Sequence, residues 1–377
     1  MIDNKFFFDT LINNEVNTFY GVPDSLLKSI CAYITENTDD SNHIIAANEG
    51  NALALGIGYH LATGRVPLIY MQNSGLGNIV NPLLSLADKE VYSIPLLLMI
   101  GWRGKPGIKD EPQHIKQGRI TKELLNSMEI PFKVISDSTT EIEVEKIISD
   151  SLDYIRENNS QVAILVEKNT FSTYTLNKAN NKIELMLREE AIKNVIDSMN
   201  SNSAIVATTG VASRELFEYR RELGDGFNKD FLTVGGMGHA NQIALGIALS
   251  QPERNIFCFD GDGAMLMHMG SMPIIGSKSS QNFKHILFNN GCHDSVGGQP
   301  TICEDMDVVG IAEKMGYEMI YQATTRSEIK KSVIEMENNN KLSFLEIKVG
   351  SGFRKDLGRP TRSPLENKED FMGFLDK

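Results

Sequence analysis

Short apolar runs alternate with helical patterns along the whole chain, which predicts βα units and mainly parallel sheets. The runs include Pro67 to Met71, Ile94 to Ile100, Val162 to Val166, Ala204 to Thr208, Asn255 to Asp260, His285 to Phe288 and Leu342 to Ile347. Helical patterns are expected near Glu141 to Glu157, near Glu189 to Met199 and after Ser327. Residues 172–187 are polar and lack an apolar period, so they read as a linker between a first domain, 1–171, and a second, 188–377. The expected fold class is therefore α/β, with two domains that are each a mainly parallel sheet flanked by helices. No sequence repeat, low-complexity tract or heptad seam interrupts the pattern.

A chain of 377 residues with 41% hydrophobic content is long enough for two sizeable cores. The longest apolar stretches fall short of the ~20 residues a membrane helix needs, and the start MIDNKFFFDTL lacks the marks of a signal peptide. Cys31, Cys258, Cys292 and Cys303 form no CxxC pattern, so reduced thiols in a cytoplasmic protein are expected. The net charge of −12 argues against nucleic acid and anionic membrane as partners. An anionic substrate would then need a local basic cluster.

The strongest chemical signal lies between Gly261 and Gly291. Gly261-Asp262-Gly263 follows one apolar strand and Asn289-Asn290 follows another, so both oxygen ligands are expected at strand C-termini, the edge where open α/β sheets bind ligands. A hard cation such as Mg²⁺ takes one or two protein oxygens together with substrate phosphates. Asp262 offers charge, Asn290 an amide oxygen and Cys292 a backbone carbonyl, with Asn289 as an alternative to Asn290. Gly261, Gly263 and a helix opening near Ala264 would let backbone N–H groups approach a diphosphate. Gly224-Asp225-Gly226 is a second Gly-Asp-Gly, but it follows polar residues and lacks the Asn pair, so it reads as a turn.

This segment resembles the metal and diphosphate signature of thiamine diphosphate enzymes. A second resemblance lies in Asn48-Glu49-Gly50-Asn51, which precedes a helix rich in Ala and Gly. Taken alone, Glu49 is an acidic residue in a first helical turn, stabilised by the macrodipole. The resemblance implies instead that it hydrogen-bonds the cofactor's pyrimidine ring and favours the imino tautomer. Asn73-Ser74-Gly75-Leu76-Gly77-Asn78 resembles the family's pyrimidine-binding loop, which places Ser74 and Gly75 at the cofactor. Gly235-Gly236-Met237-Gly238 resembles the turn whose apolar residue, here Met237 after Gly236, wedges the cofactor into its bent shape.

The resemblance implies two thiamin-diphosphate-binding-fold domains, one for the pyrimidine and one for the diphosphate, with no middle domain. It also implies a homodimer or higher homo-oligomer with active sites at the chain interface. Four further segments, around Asp24, Arg103, His293 and Arg354, are similar to those of family members that decarboxylate 2-oxo acids bearing a phosphonate, with a sulfonate as the alternative. Arg103, Lys105, Lys109, Arg354, Lys355, Arg359 and Gln299 are then the candidates for the substrate's anionic groups, Arg as a bidentate partner and Lys as a point charge. His293, His114 and Asp24 are the candidate acid–base groups. His43, His60, His268 and His285 fall in strand or helix patterns and are expected to be structural.

Overall fold

In the computed structural model, residues 1–176, 185–278 and 280–376 are described. Met1–Ala179 and Asn180–Lys377 form two compact units. Of the linker expected over 172–187, residues 177–184 lie outside the described residues. Leu187 already bridges Gly350.

The first unit runs α1 (Asn4–Asn13), β1 (Phe19–Gly21), α2 (Lys28–Asn37), β2 (His43–Ile45), α3 (Glu49–Thr63), β3 (Leu68–Gln72), α4 (Leu76–Pro82), β4 (Leu96–Gly101), α5 (Pro112–Ser127), β5 (Phe132–Ile135), α6 (Glu141–Asn158) and β6 (Gln161–Val166). The second runs α7 (Arg188–Ile196), β7 (Ala204–Ala207), α8 (Val211–Leu223), β8 (Asp230–Leu232), α9 (Ala240–Ser250), β9 (Ile256–Gly261), α10 (Asp262–Met267), α11 (Ser271–Lys278) and β10 (Phe283–Asn289). It continues through α12 (Val308–Lys314), β11 (Met319–Ala323), α13 (Arg326–Asn338), β12 (Ser343–Lys348) and α14 (Pro364–Leu375).

Each unit holds one six-stranded sheet, ordered β2-β1-β3-β4-β6-β5 and β11-β12-β10-β9-β7-β8. Every strand pair in both is parallel. Numbered from the start of its own unit, each sheet has the order 2-1-3-4-6-5. The duplication is thus visible in topology although the sequence carries no repeat.

The apolar runs are continuous because both faces of each sheet are covered. In β4, Leu97 and Met99 enter one core while Leu96, Leu98 and Ile100 enter the other. In β9, Ile256 and Cys258 face one core, and Phe257 and Phe259 the other. Helix ends follow local chemistry. Thr140 with Glu143, Thr325 with Glu328 and Ser363 with Glu366 form capping boxes that open α6, α13 and α14. Among the described residues no helix is long and apolar enough to cross a membrane.

The strand order locates the functional edge. After its first strand the chain moves to one side of the sheet, and after its third to the other, so the C-terminal ends of these two strands flank a topological switch point. In the first unit those ends lead to Asp24 and to Gln72-Asn73. In the second, the third strand leads directly into Asp262.

Candidate active site

Glu49 is the first residue of α3, which Asn48 caps by accepting from Asn51 N at 2.9 Å. Its side chain is buried. Asn78 Nδ2 donates to Glu49 Oε2 at 2.6 Å, and the opposite oxygen lies against Gly75, where any Cβ would stand 2.5 Å from Oε1. The two segments singled out in the sequence therefore meet at one carboxylate. Gly75 is required by that close approach, not by its backbone angles, which are right-handed. Ser74 is exposed, and its hydroxyl turns to Gln72 Oε1 at 3.2 Å.

The same unit holds a second buried carboxylate. Asp24 is fully buried, accepts from Leu26 N at 2.9 Å and from Gln72 Nε2 at 2.9 Å, and burial pushes its pKa up. The backbone N–H of Leu26 and the nearby Arg103 charge oppose that rise. Arg103 is held by Asp110, through Nε at 2.8 Å and Nη2 at 2.5 Å, and by Ser25 Oγ at 2.7 Å. Its fork is thus committed to an internal carboxylate. Asn73 clamps the same loop, donating to Arg103 O at 2.9 Å and accepting from Arg103 N at 3.1 Å. Lys105 pairs with Glu167 at 2.5 Å, Lys109 is exposed, and His114 lies in the first turn of α5.

In the second unit Asp262 is buried at the end of β9, where Thr301 Oγ1 donates to Oδ2 at 2.5 Å. Burial raises its pKa to about 6, opposed first by the Thr301 hydroxyl. Asn289 and Asn290 part company at the end of β10. Asn289 Nδ2 donates to the buried Glu346 at 2.7 Å, and its own oxygen accepts from Gly291 N at 3.2 Å. Asn290 instead donates to Asp294 Oδ2 at 2.6 Å, and its oxygen accepts from Cys292 N at 3.2 Å. The Cys292 carbonyl accepts from Asp294 N at 3.1 Å.

Residues 292–300 fold back on themselves. His293 N donates to Gln299 O at 2.8 Å, and Cys292 bridges Pro300. The hairpin lays the His293 ring against Gly263, where a Cβ would stand 2.6 Å from Cε1. Burial lowers the His293 pKa to about 4, so the ring is neutral at pH 7. Gln299 is completely buried, and neither atom of its amide finds a hydrogen-bond partner among the described residues. The structure thus gathers Asp262, Gly263, Asn290, Cys292, His293 and Gln299 in one place.

Gly236 and Gly238 have positive φ angles of 64° and 84° around the partly buried Met237. The helix expected near Ala264 opens at Asp262 and spans only six residues. Gly224-Asp225-Gly226 caps α8, and Asp225 pairs with Arg220 and Lys229. Arg354 is ringed by carboxylates: Nε lies 3.1 Å from Glu189, Nη1 lies 3.1 Å from Asp356, and Nη2 contacts Glu218. Lys355 and Arg359 are exposed. His43 and His285 sit 2.8 Å and 2.9 Å from the hydroxyls of Tyr70 and Tyr317.

Asn78, Thr301, Asp294 and Arg188 were not selected from sequence as site residues. Asn78 lies within the Asn73–Asn78 loop, but nothing local ties it to Glu49, 29 positions away. Thr301 reaches Asp262 across 39 positions.

The residues present fit a thiamine diphosphate with its divalent metal. Asp262, Asn290 and the Cys292 carbonyl form an all-oxygen donor set suited to a hard cation. The buried Asp262 carboxylate, which receives the neutral Thr301 hydroxyl on Oδ2, is stabilised by such a charge.

Comparison with known proteins agrees. Residues 4–127 match the thiamine pyrophosphate enzyme N-terminal TPP binding domain, and residues 209–347 match the C-terminal TPP binding domain. The chain is 30% identical to a phosphonopyruvate decarboxylase of Streptomyces viridochromogenes, covering 96% of this chain and 91% of the relative. It is 28% identical to a phosphonopyruvate decarboxylase of Streptomyces hygroscopicus, covering 95% and 90%. It is 26% identical to a sulfopyruvate decarboxylase of Methanosarcina acetivorans, covering 94% and 93%.

Proposed function

The chain belongs to the thiamine pyrophosphate enzymes, and on that premise we propose that it decarboxylates 3-phosphonopyruvate to phosphonoacetaldehyde and CO₂, a step of phosphonate biosynthesis. Similarity along nearly the full length of two phosphonopyruvate decarboxylases carries the substrate assignment. Thiamine diphosphate, when bound, supplies the electron sink for loss of CO₂.

The protein's own groups bind and orient. Glu49, held by Asn78 and backed by Gly75, presents a fixed buried carboxylate to the pyrimidine ring. Asp262, Asn290 and the Cys292 carbonyl hold Mg²⁺. Asn290 takes this role because Asn289 is committed to Glu346. Ser74, Gly236, Met237, Gly261, Gly263 and Ala264 line the cofactor.

Toward the substrate, Gln299 offers an unspent donor and acceptor in a dry setting, where a hydrogen bond is strongest. Of the basic candidates, Lys109 and Lys355 are exposed and adaptable and Arg359 is exposed, whereas Arg103, Lys105 and Arg354 would have to trade an internal carboxylate for the substrate. The proton that replaces the carboxylate is assigned to His293, His114 or Asp24. The oligomer is at least a homodimer, with the Glu49 half-site of one chain and the Asp262 half-site of another serving one cofactor.

Sulfopyruvate is the competing substrate, favoured by the Methanosarcina relative. Turnover of the purified chain on the two acids, with and without Mg²⁺ and thiamine diphosphate, decides the matter. Cofactor-dependent release of CO₂ from phosphonopyruvate is expected; a clear preference for the sulfonate would refute the assignment.

A further inference from the structure

A side-chain amide presents either its oxygen or its nitrogen, and only the oxygen can ligate a hard cation. Asn290 is therefore useful as a ligand only if something fixes which way it faces. Asp294 Oδ2 receives Asn290 Nδ2 at 2.6 Å. A flipped amide would set oxygen against a carboxylate oxygen at that distance, a repulsive contact.

The carboxylate is itself firmly held. Gly352 N lies 3.0 Å from both of its oxygens, Cys292 Sγ lies 3.3 Å from Oδ1, and Arg188 Nη1 lies 3.5 Å from Oδ2. Arg188 is buried and anchored to the buried Glu215, through Nε at 2.8 Å and Nη2 at 3.3 Å. A chain of contacts thus runs from Glu215 through Arg188 and Asp294 to Asn290.

We propose that Asp294 is a positioning residue that makes Asn290 present its oxygen to the metal, and that through Gly352 it ties the 351–353 backbone to the same point. The inference rests on the reading of Asn290 as a metal ligand. Partners behind a metal ligand commonly hold a 10- to 100-fold share of metal affinity.

The test uses the full-length enzyme with thiamine diphosphate, and Mn²⁺ binding followed by electron paramagnetic resonance alongside the Mg²⁺ dependence of turnover. Asp294→Asn should raise the metal half-saturation by about 10- to 100-fold, with less effect on kcat at saturating Mg²⁺. The exchanged pair N290D/D294N restores a donor opposite an acceptor and leaves a carboxylate ligand, so it should recover metal affinity to within about threefold of wild type, the coupling that such a cycle isolates.

A purely structural role for Asp294 would lower the thermal midpoint without this recovery. Unchanged metal half-saturation in Asp294→Asn, or no recovery in the exchanged pair, overturns the proposal. If Asp294→Asn does not fold, the exchanged pair against wild type gives the same decision. Failure of wild type to bind Mn²⁺, or an Asn290→Ala variant with wild-type metal affinity, would instead refute the ligand reading beneath it.

Discussion

Gly75→Ala separates catalysis from stability at one methyl group. The backbone at Gly75 has φ −70° and ψ −14°, ordinary right-handed values that alanine adopts without strain. Replacing glycine at such a position stabilises a protein by about 0.4–1 kcal/mol through the unfolded chain. The new Cβ, however, would stand 2.5 Å from Glu49 Oε1 and 2.7 Å from its Cδ. Ordinary contact needs about 3.5 Å, so the carboxyl must retreat by about 1 Å. Glu49 Cγ would stand 2.6 Å away as well, so the whole side chain must turn, at the expense of its bond from Asn78; that loss of about 0.5–1.5 kcal/mol is offset by the backbone gain. A 1 Å misplacement of a group that orients the reaction costs on the order of 10²-fold in rate, about 2.7 kcal/mol of barrier.

The expected variant is therefore as stable as wild type within about 1 kcal/mol and slower in kcat by about two orders of magnitude. Thermal unfolding and steady-state decarboxylation, each at saturating Mg²⁺ and thiamine diphosphate, measure both quantities. Glu49→Gln serves as the reference, because it removes the charge without moving the side chain and should lose most turnover while keeping cofactor affinity. Wild-type kcat in Gly75→Ala, with Glu49→Gln inactive, would show that the position of this carboxyl does not limit the reaction.

The adjacent asparagines should differ in metal binding. Asn289→Ala strips a partner from the buried Glu346 and should cost about 1–3 kcal/mol of stability while the folded protein keeps its Mg²⁺ affinity; Asn290→Ala likewise strips a partner from the Asp294 carboxylate but should also lose Mg²⁺ affinity, and a calorimetric titration in which only Asn289→Ala loses it would exchange their roles. His43 gives a pH signature. Burial lowers its pKa from 6.5 to about 4, against a smaller opposing effect of Asp40. The unfolded chain therefore binds a proton that the folded one refuses. Its contribution is fully present above pH 6.5 and is lost as pH falls toward 4, about 2 kcal/mol between pH 7.5 and 5. In urea unfolding at those two values, His43→Gln should flatten the dependence by that amount; an unaltered pH slope would remove His43 as its source.

The legibility of the chain followed the range of the interactions. β-Strands and helices are readable because burial on both faces imprints continuous apolar runs, and Asp262 stands out as a candidate because metal and diphosphate chemistry would need glycine and oxygen ligands close together in sequence. β10 begins at Phe283, two residues before the apolar run that starts at His285. The polar Lys284 within that strand is buried, with its ammonium on the carbonyls of Gln281, Asn339 and Lys341. No pattern of hydrophobicity foretells such a lysine.

By itself, the sequence determined the α/β class, the parallel sheets and the candidate residue types around Glu49 and Asp262, because these depend on spacing of a few residues. Only the tertiary structure decided their partnerships. It set Asn78 and Gly75 on Glu49, Thr301 on Asp262, and Asp294 on Asn290, and it turned Asn289 into the core. It also occupied Arg103 with Asp110, 7 positions along the chain, and Arg354 with Glu189, 165 positions away. Hydrogen bonds and ion pairs of that kind depend on strand order and loop closure, which bring distant positions within 3 Å of one another and leave no local trace in the chain.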